Sequence, residues 1–381
     1  SFSFDLATGA VLTYPLTLTL ASNPIGTFDE FDGKIDTAAE GLILKMGGRY
    51  SLPYSLAQAF AGTVVTPGVG ARLIGAGFNV GFDDGSTATT VPAAPFDLGL
   101  GATIIVDGIV GDPARGIPAA PVVLTSIRDD SVGPKGLLLE DTNNDSSQTV
   151  PARGDWEGIE IGAWARDFGR ISPLNGASLS ASYIRGASIR FANTAIFMQS
   201  QSVEVSSSLI RDTNTAIDAV QGPALPAILG GGQRAASAPL IVNNLLVNNG
   251  LAYGQDGGAD NASDQLEVAP PRAMFINNTV DRNAAGVNLA QRSGTLIMNN
   301  AFTGTTGTAV TIDASSINMN RTPPELGSPH QPPQVVRNLF FGNANNGTTG
   351  TIPAGIGGLE IINQDPGYTS PGSPDYNYRP T

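Results

Sequence analysis

Residues 274–289, MFINNTVDRNAAGVNL, and residues 296–312, LIMNNAFTGTTGTAVTI, are versions of one phrase. Asn277-Asn278 fall on Asn299-Asn300, an offset of 299 − 277 = 22, and each pair is followed by a small-apolar dipeptide, a polar turn and another strand-like run. The phrase returns as LIVNNLLVNNG (240–250) and VVRNLFFGN (335–343), set apart by longer insertions. Without the Asn pair it occurs as SYIRGASIRFANTAIFM and SSLIRDTNTAIDA, where Ala195-Ile196 and Ala216-Ile217 stand 217 − 196 = 21 apart. A strand-turn-strand unit of this length cannot bury its own apolar face, so it must stack on copies of itself. Stacking brings the same turn of every coil into register, and Asn244, Asn278, Asn300 and Asn338 are then expected to form an internal ladder of side-chain amides.

Elsewhere apolar residues pair or alternate with polar ones over four to six positions, as in TLTLA, ATIIVDG, SVEVSSSLI, GVNLA and TAVTI, which predicts short strands. Only SLPYSLAQAFAG at 51–62 has an apolar stripe suited to a helix, formed by Leu56, Ala57, Ala59 and Phe60. TPPELGSPHQPPQ (322–334) is too proline-rich for a coil strand, and GQDGGADNASD (254–264) is acidic and glycine-rich. Both read as loops thrown out between rungs, and loops on one side of a solenoid are where function usually sits.

The composition agrees with many short elements: Gly (47) and Pro (27) are frequent and only 14% of residues are charged. The balance of 20 basic and 33 acidic residues, 20 − 33 = −13, repels phosphate backbones and argues against nucleic acid as a partner. With no Cys there are no disulfides, thiolate metal sites or Cys nucleophiles. No apolar run reaches the roughly 18 residues that a membrane-spanning helix needs. A start at Ser1 with no signal-like segment reads as a processed or excised piece.

The run IIVDGIVGDPARGIPAAPVVLTSIRDDSVG, then DTNND, then PARGDWEGIEI, resembles the right-handed parallel β-helix repeats of large bacterial secreted and cell-surface proteins. The closing INQDPGYTSPGSPDYNYRPT is similar to that family's final phrase and stops just short of its ending. The likeness covers roughly residues 101–381, and the GDW segment is its most specific part. The expectation is an all-β, right-handed parallel β-helix (solenoid) with inserted loops over residues 101–381, truncated before its C-terminal end. Residues 1–100 would form an N-terminal β-rich cap or first coils, with one short helix. The resemblance implies an extracellular, adhesive or structural module of a larger surface protein or filament. Its partners would be neighbouring domains, copies of itself or surface glycans.

In DTNNDSSQTVPARGDW (141–156), Asp141, Asn143 and Asp145 alternate as oxygen ligands do in calcium loops. Ser146 stands where such a loop needs Gly and Ala152 where it needs Glu, so a structural Ca²⁺ would borrow oxygens from Asp129, Asp130 and Asp155. Trp156 is expected to pack at the start of the stack, its N–H bonded to a loop carbonyl. The alternative is a carbohydrate-active enzyme, a polysaccharide lyase or glycoside hydrolase, or a glycan-binding module, using a groove lined by loops 221–239 and 254–264. A lyase wants a Lys or Arg base and a hydrolase wants converging carboxylates. Lys34, Lys45 and Lys135 lie outside the repeats, His330 falls in a proline-rich loop, and the nearest acidic set is Asp212, Asp218 and Asp281. No catalytic residue is therefore assigned.

Overall fold

The computed structural model describes residues 150–161, 182–222, 237–257, 273–291, 293–317, 333–347 and 361–370, the strand segments 17–21, 43–46, 71–74, 103–108, 121–126, 170–171, 178–180, 357–358 and 377–380, and the single positions 129, 131, 148 and 174. The sequence-predicted helix at 51–62 lies outside these residues, as does the loop predicted at 322–334 up to residue 332, while its last residue opens the strand Gln334–Val336.

The described chain is all-β apart from one helical turn, Ala314–Ile317. Most of its strands fall into three parallel sheets of nine, nine and eight strands, visited in rotation, and two short antiparallel pairs, Arg170–Ile171 with Ser178–Leu179 and Tyr368–Ser370 with Asn377–Pro380, stand apart from them. Tyr183–Arg185 lies in the first sheet, Ala187–Arg190 in the second and Thr194–Gln199 in the third; Glu204–Ser206, Leu209–Arg211 and Thr215–Val220 repeat the cycle one rung on. This is the arrangement a parallel β-helix or solenoid has. The repeat contains three strands where the sequence suggests two, because MFI, TVD and AGVNLA are separated by corners too tight to show as loops. Thr17–Ala21, Ile43–Met46 and Ala71–Ile74 stand at the leading edges of the three sheets.

Inward side chains stack in rows. Ile184, Val205, Ile241, Phe275, Ile297 and Val335 line the first sheet, and Ile189, Ile210, Leu246, Val280, Phe302 and Phe340 the second, all fully buried. The matched Ile196 and Ile217 are register partners in the third. Aromatic rings run along the interior: Tyr253 on Phe275 at 5.4 Å, Phe275 on Phe302 at 6.4 Å, and Phe302 on Phe340 at 5.1 Å between centroids. Gln255 interrupts an apolar row between Ala219 and Leu289. Its amide donates to Ser237 O at 3.0 Å, and its Oε1 accepts from Tyr253 and Thr295, so the buried group is satisfied.

Two corners give the fold its period. Between the first and second sheets, Gly186, Ser207, Asn243, Asn277, Asn299 and Arg337 all have φ between 50° and 61°. Each is followed by a buried residue, and from Asn244 onward that residue is the ladder asparagine. Asn278 shows the pattern. Its Oδ1 accepts from Asn244 N at 2.9 Å and Asn244 Nδ2 at 3.0 Å, while its Nδ2 donates to Ile241 O at 3.0 Å and Asn300 Oδ1 at 3.1 Å. Asn300 and Asn338 extend the series, and Ser208 begins it by donating its N–H to Asn244. The two asparagines of each pair therefore do different work. The first tolerates a left-handed backbone, which asparagine does better than most residues, and the second bonds the rungs together.

A second ladder, five residues on, is absent from the sequence expectation. At the corner between the second and third sheets Phe191, Asp212, Asn248, Arg282, Gly304 and Gly342 take φ between 52° and 65°. Asn249 and Asn283 follow, with Asn249 N donating to Asn283 Oδ1 at 2.7 Å and each amide donating to a carbonyl of the preceding rung, Ile210 O and Leu246 O. The recurrence of Asn five residues after the ladder asparagine, 244 to 249, 278 to 283 and 338 to 343, is the signal that would have found it. Thr305 breaks this ladder. Its N–H donates to Asn343 Oδ1 at 2.9 Å, but its buried Oγ1 has no hydrogen-bond partner. Thr305→Asn would restore a group long enough to reach the preceding rung, and it is expected to raise stability by about 1 kcal/mol in a denaturant melt.

Candidate functional site

PARGDW folds as a turn entering the third sheet at Trp156–Ile161, and its groups bind three consecutive carbonyls of the next rung. Trp156 Nε1 donates to Arg190 O at 2.7 Å, Asp155 N to Phe191 O at 3.0 Å, and Gly154 N to Ala192 O at 3.3 Å. The indole is fully buried, as the sequence suggested, but it does not sit at the start of the stack, because Ala71–Ile74 pairs ahead of its strand; the carbonyl it meets belongs to a strand rather than a loop. Arg153 reaches further along the stack, donating to Asn248 O at 2.6 Å and Asn248 Oδ1 at 2.8 Å. These contacts hold Phe191 in its left-handed conformation, unusual for a bulky side chain, with the Arg211 guanidinium 5.7 Å from its ring centroid. Gly158 is required here, since at φ +116° an added Cβ would lie 1.7 Å from Thr194 O.

Of the six sequence-predicted calcium ligands, Asp129 and Asp155 are described, and Asp130, Asp141, Asn143 and Asp145 lie outside the described residues. Asp155 is buried, and its Oδ2 accepts from Ser126 Oγ at 2.7 Å and Ala152 N at 3.0 Å. Asp129 accepts from Thr125 Oγ1 at 2.5 Å and from Ser131 N and Oγ, with Arg190 Nη1 at 3.5 Å. Thr125 and Ser126 adjoin in one second-sheet strand, Val122–Ser126, so the two carboxylates pin the flanks of the DTNND insertion to the same strand end. Among the described residues no three acidic or histidine side chains cluster as a metal group.

Asp212, Asp218 and Asp281 do not form one constellation. Asp212 pairs with Arg211 and accepts from Asn248 Nδ2 at 2.6 Å. Asp281 pairs with Arg282 at 2.6 Å and accepts from Thr303 Oγ1 at 2.5 Å. Asp218 lies on the outer face of the third sheet, opposite Gly254 in register. A Cβ at Gly254 would stand 2.6 Å from Asp218 Oδ1, so the glycine makes room for the carboxylate to lie along the sheet. Burial and, more weakly, the charge of Asp256 push the Asp218 carboxyl above the usual carboxylate range, partly offset by a backbone hydrogen bond from Ala219. Asp256 is the acid that the sequence reading missed. The sequence pattern places it in a loop at 254–264, whereas Gly254, Gln255 and Asp256 complete the strand Leu251–Asp256. Lys45 lies in the strand Ile43–Met46, and Lys34, Lys135 and His330 are outside the described residues.

From Trp156 onward, every long insertion has the same place in the topology. Segments 162–182, 221–239, 257–273, 313–333 and 348–356 each connect a third-sheet strand to the next first-sheet strand. The other two corners stay tight. No protein-family profile, curated protein or solved structure matches this chain.

Proposed function

We propose that the chain is a right-handed parallel β-helix serving as a non-catalytic structural or adhesive module of a larger extracellular, cell-surface protein or filament, with Ca²⁺ bracing its DTNND loop. Handedness follows from the strong preference of parallel strand connections for a right-handed crossover. The observation that carries the reading is the division of labour among the corners: two are closed by asparagine ladders and left-handed residues, and the third issues all the long insertions after Trp156. Such a molecule holds variable loops along one side of a stiff rod. Its partners would be neighbouring domains, further copies or surface glycans met by those loops. Glycan-array binding by the intact chain, lost when 223–236 and 258–272 are shortened with the melting temperature unchanged, is the expected result. Binding that survives both deletions would refute loop-borne adhesion. Excess chelator is expected to lower the melting temperature by several degrees, reversibly with Ca²⁺, and an unchanged melt would remove the metal from the reading.

One observation favours the carbohydrate-active alternative. Asp218, with a raised pKa, shares the outer face of the third sheet with Asp256 beside the roots of two insertions. A reducing-end assay on polyuronates separates the two readings: the scaffold releases no new ends, and turnover abolished by Asp218→Asn would replace it with an enzyme. The same variant has a stability signature. A carboxyl with a raised folded-state pKa binds its proton more readily when folded, so its contribution falls as pH rises through the carboxylate range. Asp218→Asn is therefore expected to melt higher than the parent at neutral pH, with the difference closing in acid.

A further inference from the structure

Outside the second sheet, near its C-terminal end, the segment following Ile361–Ile362 turns back across the preceding rungs. Tyr368 reaches the strands Thr279–Asp281 and Ala301–Thr303, with its phenol against Thr279 and Thr303. A cleft of about 320 Å³ remains under this strap, within the size range of small-molecule sites. It exists because the corner side chains stop there. Asp212, Asn248 and Arg282 occupy the second corner on earlier rungs, whereas Gly304 and Gly342 leave it bare on the last two. An added Cβ at Gly342 would meet nothing closer than Gly304 N at 3.9 Å, so the space is open to solvent-borne groups.

The cleft walls are Phe341, Pro366 and Tyr368, and carboxylates stand on both sides of it: Asp281 on the sheet and Asp365 on the strap. Asp281 is already compensated by Arg282, so Asp365 supplies the net charge, held in place by the Gly367 N–H at 2.8 Å. We propose that this cleft is a binding site for an alkylammonium group, its stem lying against Phe341 and Pro366 and its cationic head between Asp365 and the face of Tyr368. Carboxylate attraction, cation–π contact and burial of a short hydrocarbon stem combine in few other ligand classes. The charge of the whole chain, −13, favours the approach of cations. Burial raises the Tyr368 phenol pKa to about 12, against the pull of the Thr279 and Thr303 hydroxyls, and the charges of Asp281 and Asp365 add smaller contributions in the same direction.

The chemistry could arrive as a free amine or as a lysine of a partner polypeptide. The test titrates the full chain with pentylammonium, with Nα-acetyl-lysine methylamide and with pentanol, following the backbone amide resonances of Gly342 and Gly367 by NMR. Both ammonium probes are expected to shift them and pentanol is not. Asp365→Asn is expected to weaken binding at least tenfold. Gly342→Asn should do the same by filling the cleft, because asparagine is accommodated at the equivalent left-handed corner of Asn248. Response to pentylammonium alone would assign the site to free amines. Equal response to pentanol, or undiminished binding by both variants, would overturn the proposal.

Discussion

Asn278→Ala is expected to destabilise the protein by about 3–5 kcal/mol, although its neighbour Asn277→Gly leaves stability within about 0.5 kcal/mol of the parent. Asn278 is 1% exposed and takes part in four side-chain hydrogen bonds, two accepted from Asn244 and two donated to Ile241 O and Asn300 Oδ1. Truncation removes all four and leaves the Asn244 N–H and the Ile241 carbonyl buried without these partners, where each orphaned group costs about 1–3 kcal/mol. Asn277 is exposed and contributes a φ of 56°, which glycine supplies at no steric cost. Equilibrium denaturation of the two single variants measures the contrast directly. Similar losses from both would mean that the pair acts as a unit, and the separate roles assigned to corner and ladder would be wrong.

Trp156→Ala is the second large effect, a loss of about 3–5 kcal/mol for a fully buried indole. Trp156→Phe separates its two contributions. The ring keeps most of its packing and loses only the bond to Arg190 O, so a loss of about 1–2 kcal/mol is expected. The damage should also be local. With Arg190 O and the Phe191 corner released, hydrogen exchange should rise at Ala187–Arg190 and Thr194–Gln199, while Leu296–Met298 and Ala301–Thr303 stay protected. Uniform loss of protection along the stack would show instead that the rungs melt together and that the PARGDW turn is not a local brace.

Much of this architecture is written in the chain at the scale of one rung. The offsets of 21 and 22 residues reappear as hydrogen-bond spacings, and the four asparagines proposed for a ladder form one. The second ladder escaped notice because Thr305 replaces asparagine on one rung and Thr213 on another, so the spacing shows only once the corners are known. The third strand is hidden for a physical reason: a left-handed residue followed by a ladder residue turns the chain, and at most rungs that residue is neither glycine nor proline. The acids were harder still. Asp212, Asp218 and Asp281 look alike in the sequence, yet corner, outer face and strand end give them different partners. The distinctive residue near Asp218 is Gly254, whose role depends on the rung beside it.

The ladders also give the stack of rungs a polarity. Each asparagine reaches back, taking the corner N–H of the rung before it and donating to a carbonyl of that rung, so every rung is completed by its successor. A chain synthesised from its N-terminus would thus always carry one unfinished rung at its growing face, ready to template the next. Assembly of this kind is vectorial, closer to laying courses of brick than to collapse around a nucleus. The most recently added course is the one exposed to mispairing until its successor arrives.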